Sequence, residues 1–153
     1  SRNRVWKTAS GKAQFLVHAI DKDTPIKRAR ARYGDDMMVM MTTRSHDQYN
    51  TTIYGLDDRY RGVYGLRRVV FIHPADRARL GFAEGEHVDI TSVWEDGVTR
   101  HVQDFRLVDY DIPEGCLGAY YPETNPLVPL ESIGDRSGTP TSKSIPVLLR
   151  RAG

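Results

Sequence analysis

The sequence predicts a mainly β fold, a closed or sandwiched sheet with one or two short helices. Short runs of strand-forming residues recur through the chain. The segments between them carry Gly, Pro, Asn and Asp, as tight turns require. The clearest helical stretch, Ala75-Asp76-Arg77-Ala78-Arg79-Leu80, is short. Together these features favour a barrel or a sandwich.

In chain order, Val5 to Thr8 and Gln14 to Val17 flank Ser10-Gly11-Lys12 and predict a hairpin. Asp21 to Asp36 is a polar, basic connection containing Lys27-Arg28-Ala29-Arg30-Ala31-Arg32. It reads as a solvated linker or as a surface that docks another domain. Met37-Met38-Val39-Met40-Met41 suits a strand buried on both faces, although a helix has the same short apolar pattern. Val69 to Ile72 is a second buried strand, closed by His73-Pro74. Pro74 opens the short helix and Gly81 stops it. His87 to Val93 alternates polar and apolar residues as a strand does. Glu95-Asp96-Gly97 turns the chain, and Val98 to Leu107 returns as its partner. Cys116 to Tyr121 is a further strand. Ile145 to Leu149 is the last, with Pro146 pointing to an edge or a bulge. The division expected is 1–36, an N-terminal hairpin and linker, and 37–153, a barrel.

Composition excludes several classes of protein. The 153 residues carry a formal net charge of +2, too even to argue for nucleic acid. No apolar run approaches the ~20 residues of a membrane-spanning helix, so no membrane insertion is expected. A lone Cys116 can form neither an intrachain disulfide nor a Cys-based zinc cage. The chain starts at Ser1, without Met or signal peptide, and is expected to be a piece of something longer.

No self-contained active site is visible. His18, His46, His73, His87 and His101 are scattered, and His18, His87 and His101 read as exposed strand residues. Cys116 reads as a small core residue. Turn chemistry accounts for Asp57-Asp58 and Glu95-Asp96. Arg59 and Arg61 read as surface arginines. The stretch from Thr42 to Thr51 is different. Thr42, Thr43, Arg44, Ser45, His46, Gln48, Tyr49, Asn50 and Thr51 make it dense in hydrogen-bonding groups at the end of a strand. Arg44 suits a phosphate or carboxylate, and Tyr49 offers an aromatic face. A polar surface loop and a ligand platform both fit this composition.

Thr43-Arg44 followed by Gln48-Tyr49-Asn50-Thr51 resembles the C-terminal dinucleotide-binding domain of molybdopterin oxidoreductases. That superfamily includes formate dehydrogenases, periplasmic nitrate reductases and dimethyl sulfoxide reductase. Three further stretches match in order. Phe71 to Gly81 is similar to the family's strand-helix unit, and Glu84 to Ser92 to its following strand. Asn125-Pro126-Leu127, with Lys143 eighteen positions after Asn125, is similar to its closing Asn and Lys. The wording of the loop and tail is most similar to formate-dehydrogenase-related alpha subunits. The resemblance covers residues 37 to 149.

The resemblance implies a double-psi β-barrel that binds molybdopterin guanine dinucleotide, two copies per molybdenum or tungsten. It implies that Thr42 to Thr51 line the dinucleotide and the pterin. Arg44 would meet phosphate or pterin oxygens, and Gln48, Tyr49 and Asn50 would bond to or pack on the pterin. Tyr120 or Tyr121 would lie near the pterin, with Asn125 and Lys143 at the far end of the cofactor. The metal ligand and catalytic residues of the superfamily lie in earlier domains. The expectation is therefore an inactive piece whose partners are the remaining domains of a cytoplasmic parent oxidoreductase. The competing reading is a non-enzymatic double-psi barrel acting as a docking or adaptor module. Convergence of Arg44, Asn50, Asn125 and Lys143 on one face would favour the dinucleotide. A nucleic-acid binder using Lys27 to Arg32 is a third reading.

Overall fold

The computed structural model describes residues 3–153, so the chain start at Ser1 lies outside the described residues. Six strands close into one barrel. They are β1 (Met38–Thr43), β2 (Val69–Ile72), β3 (His87–Ser92), β4 (Arg100–Asp109), β5 (Cys116–Tyr120) and β6 (Ile145–Arg151). Their order around the barrel is β1-β5-β2-β4-β3-β6, and β6 returns to β1. Two pairs are parallel, β1 with β5 and β2 with β4. The other four are antiparallel. This is the double-psi β-barrel that the resemblance implied.

Alternation along the strands builds the interior. Met38 and Met40 point inward from β1, Val88 and Ile90 from β3, Phe105 and Leu107 from β4, and Ile145 and Val147 from β6. Val70, Ile72, Leu117 and Ala119 complete the same core. The methionine run is therefore buried on one face only. Val39 is half-buried and Met41 exposed, so the expectation of a strand covered on both sides does not hold for β1. It does hold for β2, because Val69 and Phe71 join Val63 and Tyr120 in a second cluster outside the barrel.

Closure removes every sheet edge. Pro146 thus lies within the barrel, opposite Val39, rather than on an edge, and its carbonyl accepts from the Val93 amide at 2.9 Å. A register shift does occur, but on β3 against β4 between Val88 and Ile90, where Asp104 takes a φ of 62°.

The N-terminal region differs most from the sequence reading. No ladder joins Val5–Thr8 to Gln14–Val17; only a turn forms, with the Gly11 amide donating to the Thr8 carbonyl at 3.0 Å. The basic connection contains a helix, α1 (Pro25–Tyr33). Its start follows the usual physics: the Thr24 hydroxyl accepts from the Lys27 amide, and Pro25 occupies the first turn. Arg28 bridges Asp23 and Glu95, both at 2.9 Å, so the helix docks on the β3–β4 hairpin. The second helix, α2 (Pro74–Arg79), forms where expected, and the His73 ring caps it by accepting from Ala75. Glycine at 81, with φ 78°, follows its end.

The barrel's ends are fixed by strand direction. The C-terminal ends of β1, β3 and β5 and the N-terminal starts of β2, β4 and β6 share one end. At the opposite end, Asp76 of α2 accepts from the Gly115 amide, and Arg77 grips Asp109. Leu117 sits fully buried in the interior. Replacing it with Ala should cost about 2–5 kcal/mol of unfolding free energy, measured by urea denaturation. A cost below about 1 kcal/mol would contradict a close-packed interior at that point.

Candidate functional site

Every sequence-predicted site residue lies at the first of these ends. Thr42 and Thr43 end β1, and 44–51 follow it. Tyr121 follows β5, and Asn125 lies in a 3-10 turn, Asn125–Leu127. Lys143 precedes β6. Parallel pairing sets Thr43 opposite Tyr120, and the Tyr121 amide donates to the Thr43 carbonyl at 3.0 Å. Antiparallel pairing brings the start of β6 to the same place. The Thr42 amide donates to the Ser142 carbonyl at 2.9 Å, and the Lys143 ammonium donates to the Thr42 carbonyl.

The organising group is one that sequence reasoning passed over. Arg67, just before β2, is only 5% exposed. Its guanidinium donates from Nε to Glu123 at 2.6 Å, and from Nη1 to the Ser45 hydroxyl at 2.7 Å. Its Nη2 donates to Gln48 Oε1 at 2.8 Å and to the Tyr121 carbonyl at 3.2 Å. Its carbon centre lies 4.0 Å from the Tyr54 ring and 4.9 Å from the Tyr120 ring. One side chain thus ties the loop after β1 to the turn after β5.

This arrangement divides the predicted residues. Gln48 is committed internally. Its Oε1 accepts from Arg67 and the Ser45 amide, and its Nε2 donates to the carbonyls of Asn50 and Tyr121. That fills its four hydrogen-bonding positions. Ser45 and Thr42 are buried, and Thr43 and Tyr121 are half-buried. Arg44, His46, Tyr49, Asn50, Thr51, Asn125 and Lys143 are exposed. Arg44 holds Asn50 Oδ1 through one nitrogen at 3.4 Å, and His46 lies over Tyr60 at 3.8 Å.

A second buried group underpins the loop. Asp58, 1% exposed, accepts on Oδ2 from Tyr120 at 2.8 Å, from Arg61 at 2.6 Å and from the His46 amide at 3.3 Å. Burial alone would raise the Asp58 pKa. The bonds from Tyr120 and Arg61, with the Arg61 charge, outweigh burial and hold it below the ordinary carboxylate value. Burial, then the bond to Asp58, pushes the Tyr120 hydroxyl above its ordinary range. Turn chemistry therefore explains Asp57, which accepts from the Gly65 amide, but not Asp58. Arg61, expected on the surface, is drawn in by this carboxylate. Cys116 is a half-buried free thiol rather than a core residue.

The histidines hold to their reading as exposed groups in part. His87 and His101 are exposed on β3 and β4, and His87 pairs with Asp104. His18 is exposed outside any strand. Among the described residues no cluster of His, Cys, Asp or Glu could hold a metal, and no helix is long and apolar enough to cross a membrane.

Comparison with known proteins decides between dinucleotide binding and an adaptor. Residues 38–146 match the model of the molydopterin dinucleotide binding domain. The chain belongs to this family. The domain is 51% identical over 150 residues to an uncharacterized oxidoreductase of Mycobacterium tuberculosis. It is 40% identical over 148 residues to the protein YdeP of Escherichia coli. Both matches cover 95% of this chain but only 18% and 19% of the relatives, so the domain spans under a fifth of their length. Among solved structures, acetylene hydratase from Pelobacter acetylenicus shares the fold, with a TM-score of 0.57 and 13% identity. That match covers 82% of this chain and 19% of the other.

The donor set suits a molybdopterin dinucleotide. Arg44 and Lys143 are cations of the kind that a phosphate attracts, and Asn50 and Asn125 carry amides of the kind that can pair with a heterocycle. All four are exposed at one end of the barrel.

Two outcomes follow from the two buried charges, Arg67 and Asp58. Replacing Arg67 with Met leaves the Glu123 carboxylate without its donor and Gln48 Oε1 with only the Ser45 amide, and should cost about 3–5 kcal/mol of stability, read by denaturant unfolding. Asp58 has a folded pKa below its unfolded one, so its contribution is present above about pH 4 and is lost as pH falls through that value toward the folded pKa. Asp58→Asn should therefore flatten the fall of melting temperature between about pH 5 and pH 3. An identical acid profile in the variant would show that Asp58 is not held as described.

Proposed function

We propose that this domain is the C-terminal cofactor-binding part of a larger molybdenum or tungsten oxidoreductase related to formate dehydrogenases. The observation that carries the reading is that Arg44, Asn50, Asn125 and Lys143 are all exposed at the one end of the barrel where Arg67 ties the loop after β1 to the turn after β5. The much longer oxidoreductase relatives support a parent with further domains. The loop and tail wording supports the formate-dehydrogenase relation. In this reading 37–153 is the barrel, and 1–36 leads into it.

The residues divide the work. Arg44, with one nitrogen on Asn50 and no other side-chain bond among the described residues, neutralises a phosphate of the guanine dinucleotide. Lys143 places a second positive charge beside the Thr42 carbonyl. Asn50, Thr51 and Asn125 pair with the heterocyclic edges, and Tyr49 and Tyr121 cover a ring face. Thr42, Thr43 and His46 border the same surface. Ser45 and Gln48 act one step back, because their polar atoms hold the loop in shape through Arg67. When bound in two copies, the cofactor supplies the dithiolene ligands that hold the metal and tune its redox chemistry. This chain's residues bind and orient it, and the parent's other domains bring the metal ligand and substrate groups. The 153-residue chain alone should turn over neither formate nor nitrate.

The test uses the full-length parent. Arg44→Ala and Lys143→Ala should each lower the guanine nucleotide released per protein on acid treatment by about tenfold or more after dilution, since a charged hydrogen bond contributes about 1.5–3 kcal/mol. Melting temperature should stay near that of the parent. Full cofactor content in the double variant would overturn this assignment.

A further inference from the structure

The segment ahead of α1 is at odds with the rest of the molecule. Phe15 is 93% exposed, Val17 100% and Ile20 89%, with Leu16 also exposed. The aliphatic side chains of the strands, by contrast, are buried in the barrel. Residues 13–20 adopt no helix or strand, and no backbone amide or carbonyl among them is paired within the described residues. The exposed apolar side chains carry a free-energy cost to a segment left in water, and its backbone groups are free to pair elsewhere.

The pattern of the segment is specific. Ala13, Phe15, Val17 and Ala19 occupy one parity, and Gln14, Leu16, His18 and Ile20 the other. In an extended chain the first set forms one wholly apolar face, and the second a mixed one. A strand with one apolar face and a free row of amides is suited to addition at the open edge of another sheet. The barrel cannot offer that edge, because it is closed.

Two observations point to the occupant. The family model begins at residue 38, but the matches to the longer relatives cover 95% of the chain. Only about eight residues fall outside such a match, so Phe15, Leu16, Val17 and Ile20 lie within it. The segment is therefore matched in the longer oxidoreductases although it lies outside the family model of the barrel. Those relatives have more than four-fifths of their length outside the matched region.

We infer that residues 13–20 form a strand that adds to an exposed sheet edge in another domain of the same parent chain. Its Ala13, Phe15, Val17 and Ala19 face is buried there. The strand ties that domain to the barrel through α1, whose Arg28 is already fixed to Glu95. This inference rests on the reading of the chain as part of a larger oxidoreductase.

The test is hydrogen–deuterium exchange on the full-length parent, resolved to single residues by mass spectrometry. An added edge strand bonds alternate amides to its neighbour. Amides of one parity across 14–20 should exchange at least about tenfold more slowly than those of the other. Phe15→Asp with Val17→Asp should abolish the protection, whereas His18→Asp should leave it. Exchange of β1 and β5 serves as the control that the barrel remains folded in each variant. Uniformly fast exchange across 14–20 in the parent would overturn the inference, as would equal effects of the two sets of substitutions. The intact mass of the same sample separates the two claims. A mass of a 153-residue chain removes the larger-oxidoreductase reading and this inference with it. A much larger mass with unprotected amides leaves that reading standing and removes only the strand.

Discussion

A buried guanidinium must find partners for its N–H groups or pay the full cost of losing water. At Arg67 that requirement brings together three parts of the chain that are distant in sequence: the loop after β1, the start of β2 and the turn after β5. The barrel alone would leave the loop from Arg44 to Thr51 as a polar excursion. Arg67 fixes its root by occupying Ser45 and Gln48, and Asp58 fixes its flank through the His46 amide and Tyr120. The groups left outward, Arg44, Tyr49, Asn50 and Thr51, are consequently presented from an ordered base. This is how support around a binding surface normally limits the entropy lost on binding.

Strand direction supplies the other half of the arrangement. Because β1 and β5 run parallel, the loops that follow them emerge side by side. Because β6 runs against β1, Lys143 arrives at the same end from the far side of the sequence. The strand order, with β5 directly beside β1 and β6 on its other flank, sets the loop after β1 between the turn after β5 and the segment that leads into β6.

Much of this was legible in the sequence. β2 and α2 stand out because Val69 to Ile72 is wholly apolar and Pro74 and Gly81 bracket the helix. The resemblance pointed to Arg44, Asn50, Asn125 and Lys143, which are exposed at one end of the barrel. The hub was not legible, since Arg67 adjoins Arg68 and nothing local says which of the two is buried; its partners lie as far away as Glu123. Asp58 was hidden for the same reason, because a carboxylate in a turn reads as turn chemistry until Tyr120 is brought beside it. The N-terminal hairpin failed for a different reason. Val5 to Thr8 and Gln14 to Val17 have strand composition, but composition gives no partner, and the exposed side chains there have no core to enter. The helix α1 carried its start signal in Thr24-Pro25, which the dense charge of Lys27 to Arg32 obscured.

The central claim is that the cofactor lies against the barrel end that carries Thr42 to Thr51. Hydroxyl-radical footprinting of the full-length parent, loaded with cofactor and then stripped of it, tests this directly. Tyr49 is exposed at that end and Tyr110 at the opposite one. Loading should slow oxidation of Tyr49 severalfold and leave Tyr110 unchanged. Equal oxidation of Tyr49 in the two states, or protection confined to Tyr110, would contradict the account.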